Sequence, residues 1–188
     1  MRVLGPKSRS PLLFAVLLVS LSSCFGAQRV HHLEEITLER TRCYGWCPAY
    51  RIVVFADGRV EYEGRDFVKA TGRAVRQLSR LDLEKLVDEI NRANYFNLRD
   101  RYAREEDGCP TVWTDSPGAI TSVRADGRLK TIRHYHGCQD DDRSASAVSS
   151  YPRALTELED QIDRIVKTEE WIGTEEERRG ILSKQNAR

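Results

Sequence analysis

The residues best suited to chemistry in this sequence are two cysteines and two histidines. Cys43 and Cys47 flank three residues and precede Pro48, and His134 and His136 alternate, so both histidines would face one side of a strand. Thiolates and imidazoles are ligands that soft transition metals prefer, and a close cysteine pair can also cycle between thiol and disulfide. The pattern is therefore typical of a copper-binding or thiol-redox site built from Cys43, Cys47 and His134/His136.

The sequence around the cysteine pair argues against such a site. Cys-x-x-x-Cys-Pro resembles the motif of thioredoxin-like copper chaperones. A reactive pair of that type lies at a helix N-terminus, where the helix dipole lowers the thiol pKa. Here the pair runs directly into the alternating strand Tyr50–Phe55. Copper binding or thiol redox therefore remains the alternative, and we expect no metal and no resident cofactor.

The first 24 residues have the anatomy of an export signal. A basic start leads into the apolar run 11–19, which is shorter than the roughly 20 residues that a membrane-spanning helix needs. The run Leu21–Cys24 resembles the bacterial lipobox, in which the cysteine is acylated after cleavage just before it. We expect a signal peptide at 1–23, a lipidated Cys24 with a tether at 24–33, and stable anchoring by the acyl chains.

The predicted location is the cell envelope, on the extracytoplasmic side of a membrane, and on the outer membrane if the host has one. The formal net charge is +1, and Arg2, Lys7 and Arg9 lie in the predicted signal peptide, which leaves 27 basic against 29 acidic residues. A nucleic-acid-binding domain needs a basic excess, so we exclude that class. The expected partners are the membrane, through the lipid anchor, and an envelope protein.

The elements that would position these residues form two similar units. The segment 41–64 contains an Asp-Gly turn between two runs of alternating apolar and polar residues, which is a strong hairpin signal. In such a turn both central residues are expected to take positive φ. The segment 125–129 repeats the turn. Each hairpin is followed by one amphipathic helix, at 82–93 and at 151–167. The sequence predicts an α+β fold in the order β-β-β-α-β-β-α. We expect a mostly antiparallel sheet of about five or six strands, two helices on one face and a ββα pseudo-repeat. We assign 34–172 to one domain and 173–188 to a charged, flexible tail.

The chain also resembles a known bacterial family of domains of unknown function, found in exported proteins and lipoproteins. The matching features are Arg40-Thr41, the Cys-x-Gly-x-Cys-Pro-x-Tyr run at Cys43–Tyr50, Asp57-Gly58, Tyr62-x-Gly64, the segment Thr114–Pro117 and the closing helix. The resemblance covers about 36–171. It implies a fold and no mechanism, and Cys109 and Cys138 look like additions to the family pattern.

Four cysteines remain when Cys24 is set aside, and in an exported protein four cysteines predict two disulfides. Four cysteines can pair in three ways, and the sequence leaves all three open. We favour Cys43–Cys47 with Cys109–Cys138, because the two cysteines added to the family pattern then pair and join a loop to a strand end.

The sequence contains no nucleophile elbow, phosphate loop or paired-carboxylate spacing, so we predict no catalytic residue. The best-supported class is a non-catalytic binding or scaffolding domain at a membrane surface. Its candidate contacts are Tyr44, Trp46 and Trp113, because aromatic residues on loops either anchor interfaces or fill cores. The sequence leaves both roles open for each of the three.

Overall fold

The computed structural model describes residues 29–140 and 150–185, with side chains as far as Gly180. The predicted signal peptide, Cys24 and the first part of the tether lie outside these residues. No helix in the described part of the chain is long and apolar enough to cross a membrane.

A seven-stranded sheet forms the centre of the fold, with strand order β4-β3-β2-β1-β7-β8-β5. All neighbouring strands are antiparallel except β5 and β8, which are parallel. A separate two-stranded sheet pairs β6 with β9. The strands are β1 Leu33–Arg40, β2 Ala49–Phe55, β3 Arg59–Asp66, β4 Gly72–Gln77, β5 Arg101–Tyr102, β6 Thr111–Val112, β7 Gly118–Ala125, β8 Arg128–Tyr135 and β9 Cys138–Gln139.

The described residues contain four α-helices: α1 Arg80–Arg92, α2 Arg153–Val166, α3 Glu169–Ile172 and α4 Glu175–Gln185. Helix α1 begins where the Ser79 hydroxyl accepts the backbone N–H of Asp82, at 3.2 Å, which satisfies one of the free donors of the first turn. Helix α2 ends where Lys167 takes a left-handed conformation, with φ 58°. Helix α4 lies in the segment 173–188 that was predicted to be a charged, flexible tail.

The α+β class and the mostly antiparallel sheet are confirmed. The predicted strand number was too low, because four of the strands carry little sequence signal. Strand β4 has only two partly buried side chains, Ala74 and Arg76, so it shows no apolar alternation. Strands β5, β6 and β9 have two residues each, and a two-residue strand has no readable period.

The two Asp-Gly turns differ in geometry, contrary to the expectation that both central residues of the first turn take positive φ. In the β7–β8 turn, Asp126 and Gly127 have φ of 51° and 69°, as a two-residue type I′ turn requires. In the β2–β3 turn only Gly58 has a positive φ, of 85°, and three residues connect the two strands. The Leu78 backbone N–H donates to the Gly58 carbonyl at 2.8 Å, so the end of β4 packs onto this first turn.

The strand register places three polar side chains in one row that crosses four strands. Arg40 on β1 pairs with Tyr50 on β2 and with Ala119 on β7, and Ala119 pairs with His134 on β8. The adjacent row contains Thr121 on β7. Helix α2 packs close to both rows, because its Glu159 and Asp163 side chains contact them. The fold thus brings residues from five elements to one end of the sheet.

Candidate functional site

A disulfide-closed loop joins β1 to β2 at the end of the sheet where the polar row lies. Cys43 and Cys47 are bonded, with Cα atoms 5.6 Å apart, and the loop carries Tyr44 and Trp46. Tyr44 is 90% exposed and Trp46 is 55% exposed, so neither side chain fills the core. The core-filling role that the sequence left open is therefore excluded for these two residues.

Trp113 lies on a neighbouring loop and is 52% exposed. The backbone N–H of Trp113 donates to Gly137 at 2.7 Å, and the backbone N–H of Tyr44 donates to Asp115 at 3.3 Å. Trp113 and the disulfide loop are therefore held at the same end of the fold by nearby backbone segments.

The second disulfide joins Cys109 to Cys138, with Cα atoms 5.3 Å apart. Both cysteines are buried, and Cys138 is the first residue of β9. The bond ties the loop before β6 to the short β6–β9 sheet. The two bonds are the pairs that the sequence favoured, and they leave none of these four cysteines as a free thiol.

Two adjoining cavities run from the disulfide loop along α4. The first, about 700 Å³, is lined by the loop residues 43–48 together with Glu175 and Arg178. The second, about 800 Å³, shares Glu175 and Arg178 and extends to Tyr50, the end of α2 and α3. Together they form a groove with an aromatic end and a charged end. Each volume lies in the range of small-ligand sites, about 300–1,000 Å³.

Arg40 is the centre of a buried polar cluster below this groove. Its Nε and Nη2 donate to Asp163 Oδ2 at 3.0 and 2.8 Å, and Nη2 also donates to Asp160 Oδ1 at 3.0 Å. Nη1 lies 3.5 Å from Glu159 Oε2. Burial lowers the pKa of the guanidinium, but the nearby carboxylates Asp163 and Glu159 outweigh that effect and raise it, so Arg40 stays charged.

Glu159 is fully buried and has four partners. Its Oε1 accepts the Thr121 hydroxyl at 3.1 Å, and its Oε2 lies 3.0 Å from His134 Nδ1 and 3.1 Å from His136 Nε2. Burial raises the pKa of this carboxyl group, and the hydrogen bonds from both imidazoles and the charge of Arg40 oppose it more strongly. The net result is a pKa of about 2, so Glu159 is a carboxylate.

Asp163 connects the cluster to the groove, because it lines the larger cavity and accepts the Tyr50 hydroxyl at 2.6 Å. The Thr168 hydroxyl donates to the same carboxylate at 3.0 Å. Burial and the Asp163 charge raise the pKa of Tyr50, so its hydroxyl remains protonated and continues to donate. The described cluster holds acids, imidazoles and a phenol, but no paired nucleophile and base opens into the groove.

The structure divides the sequence-predicted copper or redox residues into two places. His134 and His136 share a group of potential metal ligands with Glu159, and within the described chain that group includes no cysteine. Cys43 and Cys47 are bonded to each other and line the groove instead.

Sequence reasoning missed Glu159, Asp163 and Arg40. A signal was present for two of them. Glu159 follows Leu155 by four residues and precedes Ile162 by three, so a carboxylate occupies the apolar stripe of α2. Arg40 continues the inward alternation of Ile36 and Leu38 on β1. Two charges on inward faces predict a buried ion pair.

The fold and the site define an α+β domain with a disulfide-closed aromatic loop and a buried charge cluster. The chain belongs to a family described as a domain of unknown function, DUF6438, whose sequence pattern matches residues 34–166. That match confirms the expected resemblance to a family of domains of unknown function. A comparison with curated proteins finds no match.

Proposed function

We propose that this protein is a lipoprotein of the cell envelope, anchored through Cys24, whose domain is a non-catalytic binding or scaffolding module for an envelope protein. The observation that carries the proposal is the exposure of Tyr44 and Trp46 on a disulfide-closed loop beside a groove. Aromatic side chains are enriched among the residues that dominate binding energy at protein interfaces, and exposed apolar clusters mark such sites.

The disulfide supports a binding role because it restrains the loop before any partner arrives. On chain entropy, closing five residues removes about 2 kcal/mol of freedom from the unfolded chain. A loop fixed in advance loses less freedom on binding, so more of its contact energy contributes to affinity.

The position of the anchor also supports a protein partner rather than the lipid surface. Val30 is buried, and its backbone exchanges two hydrogen bonds with the Asn91 side chain, at 2.7 and 3.0 Å. If Cys24 is lipidated, only residues 25–29 are free to span the distance to the membrane, at most about 18 Å. Strand β1 then runs about 23 Å from Leu33 to Arg40. The aromatic loop follows Arg40, at the end of β1 opposite Leu33.

Two finer features of the fold belong to the same proposal. We propose that α1 and α2 cover one face of the sheet and that each hairpin-plus-helix unit is a copy of the other. Support comes from direct contact between α1 and α2 and from a single core that includes the stripes of both helices. The different geometry of the two Asp-Gly turns weighs against close similarity of the copies. An experimental structure with the helices on opposite faces would refute both statements.

Photo-crosslinking in the native envelope tests the binding role. A photoreactive phenylalanine derivative replaces Tyr44 or Trp46 in the full chain, and replaces Val75 as the control, because Val75 is 73% exposed on edge strand β4. We expect one shared adduct at positions 44 and 46 that is missing at 75. The adduct at 44 should disappear in Trp46→Ala and persist in Val75→Ala. An adduct of equal yield at position 75, or one that survives Trp46→Ala, contradicts the proposal.

Membrane fractionation tests the anchor separately. The full chain and its Cys24→Ala variant are expressed in a bacterium, and the membrane fraction of each is measured. We expect the wild type in the membrane fraction and the variant outside it. Equal partitioning of the two would rule out lipidation at Cys24 without bearing on the role of the loop.

A further inference from the structure

Three potential metal ligands converge where α2 covers the end of β8. His134 is the last inward-facing residue of β8, and His136 follows the end of that strand. The Glu159 side chain contacts both histidines from α2. Their donor atoms lie within 4.8 Å of one another. Glu159 Oε2 is 3.0 Å from His134 Nδ1 and 3.1 Å from His136 Nε2. Ligand atoms of a tetrahedral zinc ion, bound at 2.0–2.1 Å, lie about 3.3 Å apart, so both histidine–carboxylate distances already fall within a few tenths of an ångström of that spacing. The two histidine nitrogens, at most 4.8 Å apart, would have to approach each other by up to about 1.5 Å.

The carboxylate of Glu159 is already oriented for this role. The Thr121 hydroxyl donates to Oε1, which leaves Oε2 directed at the two imidazoles. A hydrogen bond of this kind to the second oxygen is the usual way in which proteins fix a metal-binding carboxylate.

His134 would bind the ion through Nδ1, the nitrogen that faces Glu159. The residue is 2% exposed, and its ring lies against the His136 ring, with centroids 4.7 Å apart. The opposite nitrogen, Nε2, is buried without a hydrogen-bond partner among the described residues and points away from the three ligand atoms, so an ion at this site would not complete it.

The charge of the cluster also calls for a cation. Glu159 and Asp163, whose side chains are 0% and 18% exposed, face a single guanidinium, that of Arg40, so these three groups sum to one negative charge. Buried charge without a counterion is costly, so a cation at this position would stabilise the cluster.

The Arg40 guanidinium occupies the open side of the ligand triangle. Its Nη1 lies 3.3 Å from His136 Nε2 and 3.5 Å from Glu159 Oε2, which are its longest polar contacts. Its Nε and Nη2 are held by shorter bonds to Asp163 and Asp160. Nη1 can therefore withdraw while the rest of the guanidinium stays paired, and Arg40 acts as an internal competitor of the ion.

We propose that His134, His136 and Glu159 form a site for one divalent transition-metal ion of the zinc class. Two imidazoles and a carboxylate are a ligand set typical of Zn²⁺, with a fourth position left for water or another ligand. The site uses no cysteine and does not depend on the aromatic loop. It is therefore a property beyond the proposed binding function, and either can fail without the other.

The experiment titrates the purified, chelator-treated full chain with Zn²⁺ by calorimetry and with Co²⁺ by visible absorption, which reports tetrahedral coordination. We expect one ion per chain. His136→Ala should weaken binding at least a hundredfold. The matched control is His31→Ala with His32→Ala, because these are the only other histidines among the four in the chain, and this double variant should bind as the wild type does.

A second variant makes the test independent of folding losses. Arg40→Gln removes the competing charge and should tighten Zn²⁺ binding at least tenfold, whereas a merely damaged site would bind more weakly. Circular dichroism of each variant verifies that it is folded. Absence of binding at a hundredfold excess of Zn²⁺ overturns the proposal. So does wild-type affinity in His136→Ala, or loss of binding only in the His31/His32 double variant.

Discussion

Removing the Asp163 carboxylate should destabilise the domain far more than removing Asp160. Both acids bind the same guanidinium on Arg40, but the Asp163 side chain is 18% exposed and that of Asp160 is 55% exposed. Asp163 also accepts the Tyr50 hydroxyl at 2.6 Å. An arginine guanidinium keeps its proton in proteins, so Arg40 cannot become neutral to avoid the loss of its partner.

The magnitude follows from these contacts. Breaking a buried ion pair by removing one member costs about 3–5 kcal/mol, and Asp163→Ala should fall near the lower end because Asp160 and Glu159 still face Arg40. For a domain of this size, a loss of about 3 kcal/mol lowers the Tm by roughly 6–12 °C. Asp160→Ala removes an exposed partner and should cost about 0–1 kcal/mol.

The assay is urea unfolding of the oxidised full chain, followed by tryptophan fluorescence and circular dichroism, with both disulfides intact so that two-state analysis applies. The m-value should stay constant between the variants. If Asp163→Ala and Asp160→Ala destabilise the protein equally, Arg40 is not held as a buried charge. The description of the cluster would then be wrong.

Three further predictions concern the core, the turns and the disulfide loop. Leu158→Ala should cost about 2–5 kcal/mol in urea unfolding, because Leu158 is 1% exposed, and a loss below 1 kcal/mol would show that this face of α2 is not core. Gly58→Ala should lower the Tm more than Gly127→Ala. Both glycines have positive φ, but a Cβ at Gly58 would lie 2.7 Å from the Leu78 carbonyl oxygen and one at Gly127 meets nothing, so equal shifts would contradict the turn geometry. Mass spectrometry after alkylation should find Cys43 and Cys47 unmodified until the exported protein is reduced, and alkylation without reduction would favour the redox alternative.

The sequence predicted those parts of the fold that rest on local chemistry. The Asp57-Gly58 and Asp126-Gly127 turns mark two hairpins, and the stripes of α1 and α2 mark two helices, because turn residues and periodicity act over a few neighbours. The type of each turn could not be predicted, because the first turn also has a contact outside its own hairpin, from the Leu78 backbone N–H to the Gly58 carbonyl. That contact joins residues 20 apart.

The buried polar cluster around Arg40 could not be predicted from the periodicity of the sequence. Arg40, His134 and Glu159 are separated by 94 and 25 residues, and only the strand register together with the position of α2 brings them together. Each charge alone is typical of a solvated surface. The sequence likewise could not predict whether Tyr44 and Trp46 are exposed, because an aromatic side chain on a loop can turn inward or outward at similar conformational cost.

The proposed binding function requires that Tyr44 and Trp46, which are exposed in the structure, be covered by a partner in the envelope. Hydroxyl-radical footprinting measures this directly, by comparing the oxidation of Tyr44 and Trp46 in intact cells with that in the purified full chain, normalised to Val75. The account predicts strong protection of both aromatics in cells and unchanged oxidation of Val75. Equal oxidation of Tyr44 and Trp46 in cells and in the purified protein would contradict it.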